Sequence, residues 1–262
     1  MELPKWLDDY IFEELKATYC PSYSDMTNVD DDKEKTLNYL GTYFPRSFAE
    51  AHYIFNEYFN THHVDFSQKE EISIFDFGSG TGGEVLGLLT VLKKKLPDLR
   101  KVHIAVLDGN HIALRIYEKI LDIFQEKIGL QIENRTAPVM IDDFYDLSIL
   151  DSVIREQFDI IISFKAICEF VTKQQFERQN PYEHISKFLL PKLKEDGVLL
   201  LEDVTTYNDT SQEWLPMMMD RGLKAANCNV IIRNKDYNQT YFITHSRKSN
   251  DKSKVAWRMI KR

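Results

Sequence analysis

Residues 74–84 read IFDFGSGTGGE, and the fold follows from how this stretch is read. The chain has 10 glycines in 262 residues, and Gly78, Gly80, Gly82 and Gly83 fall within six positions. Glycine loses more backbone entropy on folding than any other residue, so a chain this poor in it crowds it for a reason. The residues before the glycines, ISIFDF (72–77), form a short β-rich run. The residues after them, EVLGLLTVLKKKLPDL (84–99), carry a helical pattern that stops near Pro97. A strand running into glycines and then into a helix lets a ligand lie against bare backbone beside a helix N-terminus.

Outward from this point the alternation repeats. KVHIAVLD (101–108) reads as a second strand, and the helix that follows is closed by Gly129. LQIENR (130–135) reads as a third strand and FDIIISF (158–164) as a fourth. A helix over PYEHISKFLLPKLKEDG (181–197), turning at Asp196 and Gly197, leads to a fifth strand, VLLLED (198–203). Near-continuous apolar strands alternating with helices predict a parallel sheet covered on both faces. After a helix in QEWLPMMMDRGLKAA (212–226) come three strand-like runs, CNVIIRN (228–234), TYFITHSR (240–247) and KVAWRMIKR (254–262). They lie too close together for crossover helices, so at least the last two should be antiparallel.

The first seventy residues read as helical instead. PKWLDDYIFEELKATY (4–19) has helical apolar spacing. A polar loop spans 21–35, KTLNYL (35–40) is a short helix, and PRSFAEAHYIFNEYFNTHH (45–63) is an amphipathic one. The chain therefore divides into a helical region, 1–68, serving as a lid or substrate region, and an α/β domain, 69–262.

Composition bounds the rest. Hydrophobic residues make 43% and charged residues 28%, as in soluble globular proteins. No run approaches the roughly 18 apolar residues that span a membrane. The acidic start, MELPKWLDDYIFEEL, lacks the pattern of a signal peptide. Cys20, Cys168 and Cys228 are odd in number and widely spaced, which suggests neither disulfides nor a paired-cysteine metal site. His62, His63 and His184 have no partner at ligand spacing, so no metal is expected. The expected setting is the cytoplasm. From Lys224 onward ten Lys and Arg meet two acids, so the net charge of −8 divides into −16 before Lys224 and +8 after it. A basic end on an acidic body suits an anionic partner, or guards strand edges.

The glycines fit two patterns. Gly78, Gly80 and Gly83 match the G-x-G-x-x-G of dinucleotide-binding dehydrogenases. Gly78, Gly80 and Gly82 match G-x-G-x-G, with Asp76 two residues ahead. A bare pyrophosphate gains nothing from a carboxylate there, whereas a cofactor with an amino group and a sulfonium does. FDFGSGTGGE resembles motif I of the class I, seven-strand S-adenosylmethionine-dependent methyltransferases, and the strand-rich C-terminus is similar to their sheet, whose last strand is inserted antiparallel. The resemblance implies a Rossmann-like sheet, S-adenosyl-L-methionine as cofactor, and in-line methyl transfer to an acceptor. It implies that Asp76, Gly78, Ser79, Gly80 and Gly82 hold the methionine end. Asp108, with Gly109 and Asn110, would receive the ribose hydroxyls. Asp142 or Asp143 would face the adenine amino group, with Phe144 on the ring; the alternative is that all three belong to an ordinary acidic loop. Ser163 and Phe164, at the end of the fourth strand, would line the place where cofactor and acceptor meet, while Asp159 caps that strand's start.

The acceptor is less constrained, because in-line transfer needs positioning first and a base only if a proton must leave. Lys165, Glu169, Asp203 and Tyr207 are the candidates for contact with it. Cys168 reads as a small buried hydrophobe. The order of YLGTYFPRSFAEAHYIFNEYF before motif I is similar to the mitochondrial small-ribosomal-subunit methyltransferase-like family at Tyr39, Pro45, Phe48 and Ala49. Arg46 follows the proline here rather than preceding it, and that family's cysteine cluster is missing. Three functions stay open: methylation of RNA or a ribosome-linked target, methylation of a small molecule under a helical lid, and a non-catalytic assembly factor.

Overall fold

The computed structural model describes residues 1–21, 32–62, 66–170, 179–209 and 211–262. Most of the expected polar loop, and His63, lie outside these.

The glycine stretch follows strand β1 (Glu71–Phe77) and opens helix α3 (Gly83–Lys95). Beyond it run β2 (Lys101–Asp108), helix α4 (His111–Ile128), β3 (Gln131–Pro138), β4 (Phe158–Phe164) and β5 (Leu193–Val204). A two-stranded ribbon, β6 (Tyr207–Asn208) with β7 (Glu213–Trp214), precedes β8 (Asn229–Arg233), β9 (Gln239–His245) and β10 (Lys248–Lys261). The main sheet has the order β3-β2-β1-β4-β5-β10-β8, with β9 also on β10. The first five strands are parallel, and β10 runs antiparallel to β5, β8 and β9. The order reverses between β1 and β4, where ligands of open α/β sheets bind.

Side chains alternate across the sheet. Ile72, Ile74, Ile160, Ile162, Val198 and Leu200 enter one core with α3, α4 and the long N-terminal helix Lys33–His62, α2. Phe75, Phe77, Ile161, Leu199 and Leu201 enter the other, covered by the helices Pro181–Leu189 and Leu215–Ala225. Both faces are buried, which is why the central strands read as apolar runs.

The N-terminal region departs from expectation in two ways. Helix α1 covers only Lys5–Asp9; a π turn, Tyr10–Glu14, follows, and Lys16 takes a left-handed φ of 61°. This turn brings Thr18 against Gly41, whose missing Cβ would stand 2.3 Å from the Thr18 carbonyl oxygen. The two helices expected at 35–40 and 45–63 are one, α2 (Lys33–His62), running through Pro45. Proline removes one helical hydrogen bond, at a cost of about 3 kcal/mol. Leu40, Phe44, Phe48, Phe55 and Phe59, all buried on one stripe, offset it at roughly 1.5–3 kcal/mol each.

Helix α2 lies directly on α3. A Cβ on Gly83 would stand 2.4 Å from the Phe44 carbonyl oxygen, and one on Gly87 2.3 Å from that of Phe48. The N-terminal segment is fastened to the far edge as well. The Leu3 N–H donates to the Thr244 carbonyl of β9 and the Thr244 N–H to the Met1 carbonyl, each at 2.9 Å, and Arg46 makes a two-pronged ion pair with Asp251 at 2.8 Å. The fifth strand starts earlier than expected, at Leu193, because the preceding helix ends at Leu189.

Candidate functional site

Gly78, Gly80 and Gly82 have φ of 81°, 49° and 78°, a region L-residues seldom enter. Gly82 is doubly fixed, since a Cβ there would also lie 2.2 Å from the Tyr117 ring. Gly83 is helical, and its small size serves the α2 contact. The glycines that need their backbone freedom therefore follow G-x-G-x-G. The loop is held by the Gly78 and Ser79 N–H groups, which donate to the Leu107 carbonyl at 2.9 and 3.0 Å. Gly80 N–H donates to Asp108 Oδ2 at 2.7 Å, and Asn110 N–H to Asp108 Oδ1 at 2.8 Å. Each Asp108 oxygen thus keeps a lone pair for a further donor, an arrangement that suits a vicinal diol. Burial raises the Asp108 carboxyl, while the Asn110 and Gly80 N–H groups pull it back.

Asp76 sits beneath this loop, fully buried, and neither of its oxygens accepts a hydrogen bond. The Glu84 carboxyl, from the first turn of α3, stands beside it. Two adjacent carboxyls can link only through a proton that one of them keeps. Burial, then Glu84, push Asp76 well above the usual carboxylate range, and burial pushes Glu84 up to about 8. A cationic group placed here would relieve both.

Lys165 follows β4 in a left-handed conformation, φ 53°, and is buried. Its ammonium bonds Glu50 Oε2 of α2 at 2.5 Å and Ser47 Oγ at 3.3 Å. Burial would lower this lysine, but Glu50 and Glu202 together hold it above its ordinary value. Glu202, at the end of β5, is buried with both oxygens unpartnered. Burial, then Glu50, raise it well above the carboxylate range.

The remaining expected residues spread over several roles. Asp203 faces the opposite core, where it accepts from the Tyr182 hydroxyl at 2.9 Å and from the Cys168 and Val204 N–H groups. Ser163 is buried with its hydroxyl unpartnered, and Phe164 enters the α2-covered core. Tyr207 is exposed and packs edge-on against Trp214, 5.1 Å between centroids. The Glu169 backbone lies in the short helix Ile167–Phe170, and its side chain is outside the described residues. Asn110 caps α4 through Ile112 and Ala113 and donates to Thr36 of α2 at 3.1 Å. A Cβ on Gly109 would stand 3.2 Å from the Met140 sulfur. Asp142 is exposed, Asp143 accepts from the Tyr145 N–H at 3.0 Å, and Phe144 is buried against Tyr145 and His184. Asp159 accepts from the Ser73 N–H and hydroxyl, Lys69 and Lys194, a structural tie as expected. Cys168 is half-buried.

Sequence reasoning missed Glu84, Glu50 and Glu202 as site residues. Glu84 stood in the opening stretch. Glu50 was visible as an acid on the apolar face of a helix, between Ala49 and Ala51. Glu202 was hidden by its neighbour Asp203. Tyr39 belongs here too, its ring edge 3.1 Å from where a Gly80 Cβ would be.

No protein-family profile matches the sequence, and no curated protein is similar to it. Solved structures are. One assigned as a class I S-adenosylmethionine-dependent methyltransferase, from Listeria monocytogenes, matches with a TM-score of 0.50 at 8% identity, over 99% of this chain and 81% of that one. An O-methyltransferase from Bacillus cereus, in complex with S-adenosylhomocysteine, matches at 0.46 and 11%, over 99% and 92%. The rRNA methyltransferase AviRa from Streptomyces viridochromogenes matches at 0.47 and 14%, over 81% and 83%. At such identities the likeness is one of fold alone: this chain has a Rossmann-like fold, a mostly parallel sheet with antiparallel strands at its C-terminal edge. Nothing found supports the link to the mitochondrial family.

Proposed function

We propose that this chain is an S-adenosylmethionine-dependent methyltransferase. The observation that carries the reading is the buried Asp76, which meets no N–H or hydroxyl donor and has the Glu84 carboxyl beside it, under a left-handed glycine loop, with Asp108 tied to that loop. Asp76 and Glu84 would hold the cofactor's amino group, and Asp108 the ribose hydroxyls. Asp142 and Asp143 stand on the loop after β3, where the adenine would lie. Bound S-adenosylmethionine supplies an electrophilic methyl group on a sulfonium, transferred in line to a nucleophile. The residues of the chain position the acceptor, exclude water and manage its proton. Residues 1–68 cover the site and 69–262 form the catalytic domain in this reading, within the cytoplasm. No described helix is long and apolar enough to cross a membrane.

For the acceptor, a small molecule is supported by helix α2, which brings Glu50 and Ser47 to the buried Lys165. An RNA or ribosome-linked acceptor rests on the basic C-terminus. There, Arg258 pairs with Asp220, Arg247 with Glu13 and Lys261 with Asp196, which leaves fewer cations for phosphates. Binding that weakens steeply with salt would restore the RNA reading.

The cofactor assignment is tested by titrating S-adenosylhomocysteine into the full chain in a calorimeter. Asp108→Ala should weaken binding by roughly 10- to 100-fold, the loss of a charged hydrogen-bonding group. Unchanged affinity breaks the assignment.

A further inference from the structure

Helix α2 and the sheet enclose more carboxyls than the proposed cofactor needs. Asp76, Glu84, Glu50 and Glu202 are all buried, and Lys165 is the cation among them. Asp76 and Glu202 lie on the same sheet face, since the residues two before each, Ile74 and Leu200, enter the same core. The register runs from Asp76 to Ile162 to Leu200. Glu202 is therefore two strands over and two residues further toward the carboxyl edge. That puts their Cα atoms about 10 Å apart sideways and about 7 Å along, so the two acids mark different ends of the site.

Glu202 is also the carboxyl left without a directly bonded cation, since Lys165 acts on it only through its charge. Lys165 is matched by Glu50 at 2.5 Å. The fold satisfies comparable groups elsewhere. Asp203, the next residue and as deeply buried, takes three hydrogen bonds on the other face. Asp159 takes ion pairs from Lys69 and Lys194. Glu202 has neither, and its two oxygens are buried without a donor. A buried carboxyl without a donor costs free energy that a bound cation or donor would return. An anionic acceptor would worsen the surplus of carboxyls, and a neutral one would leave it.

We propose that Glu202, beside the Glu50–Lys165 pair, is the acceptor end of the site, and that the acceptor is an amine, bound as its ammonium, whose proton Glu202 receives. The bound ammonium draws Glu202 into its ionised form, the carboxyl's own proton leaving to solvent; one N–H bond of the ammonium then breaks, the proton passes to a Glu202 Oε, and the electron pair stays on nitrogen. The neutral amine so formed is a nucleophile, which the ammonium is not. The carboxyl's raised proton affinity suits that task. This inference rests on the methyltransferase reading and extends it to an N-methylated acceptor.

The test uses the full chain saturated with S-adenosylhomocysteine. n-Butylamine, n-butanol and n-butyrate are titrated in turn, followed by NMR shifts. The amine should bind about tenfold or more tighter than the alcohol, and butyrate weakest. Glu202→Gln should erase the preference for amine over alcohol while S-adenosylhomocysteine affinity stays within about twofold. Infrared spectra add a second readout. The band of a buried protonated carboxyl should change on amine addition in the parent chain and not in Glu202→Gln. Equal binding of amine and alcohol, no binding of the amine, or a preference that survives Glu202→Gln with intact cofactor binding overturns this inference alone. A folded chain that does not bind S-adenosylhomocysteine overturns the cofactor reading, and this one with it. If Glu202→Gln does not fold, the amine-to-alcohol ratio of the parent chain decides.

Discussion

At the scale of single residues, the site is marked by what its acids lack. Burial pushes the Glu84 carboxyl up to about 8 in the fold against 4.5 for a free side chain, so the folded chain holds a proton there that the unfolded chain releases. The stability this contributes is fully present below 4.5 and is lost as pH rises toward about 8. The thermal midpoint of the ligand-free chain should fall across that window. Glu84→Gln, which cannot ionise, should flatten the fall in a melting series against pH; an unchanged slope would show that Glu84 does not set it. Gly82 makes a second, separate point. Alanine there would be forced into a left-handed conformation, at about 1–2 kcal/mol, and its Cβ would strike the Tyr117 ring. Gly82→Ala should destabilise by more than about 2 kcal/mol in urea unfolding, with cofactor binding lost as the loop moves.

At the scale of elements, the pair α2 and α3 explains why the glycine stretch was ambiguous as sequence. Gly78, Gly80 and Gly82 satisfy the backbone of the loop, whereas Gly83 and Gly87 let the backbone of α2 approach within van der Waals reach of α3. Two requirements written in one letter overlapped in the string GSGTGG. Gly87→Ala leaves the loop intact and tests the second alone. Its Cβ would stand 2.3 Å from a carbonyl oxygen, so the helices must part, at a cost of about 1–3 kcal/mol by denaturant titration. A cost near zero would mean that the contact is loose. The strands of the sheet were legible because burial on both faces leaves long apolar runs, as in Ile160 to Ile162. Helix α2 was legible only in pieces. Pro45 is a local helix-breaker, and the apolar stripe that carries the helix through it gains its energy from α3, which the local sequence does not contain.

At the scale of the whole molecule, the N-terminal region is bound into the same core as the sheet. Leu7, Ile11, Leu40, Phe48 and Phe55 share one apolar cluster with Leu86, Ile74 and Trp257. Removal of residues 1–60 should therefore leave a chain without a cooperative unfolding transition. A truncated domain that melts sharply would show that the lid is separable. The far fastening is Asp251. Burial would raise its carboxyl, but the His245 ring, 3.7 Å away, and the two hydrogen bonds from Arg46 hold it well below the usual range. Arg46→Ala leaves that charge buried and should cost about 3–5 kcal/mol in a melting experiment at neutral pH. The sequence by itself determined the parallel sheet, its switch point at the glycine stretch, and Asp76 and Asp108 at the ends of the first two strands. Those features depend on local runs and on residues a few positions apart. The tertiary structure alone decided that Glu50 meets Lys165, that Glu202 is left without a partner, and that Gly83 belongs to a helix contact. Each of these depends on where α2 comes to rest on the sheet, and the packing that places it joins residues far apart in the chain.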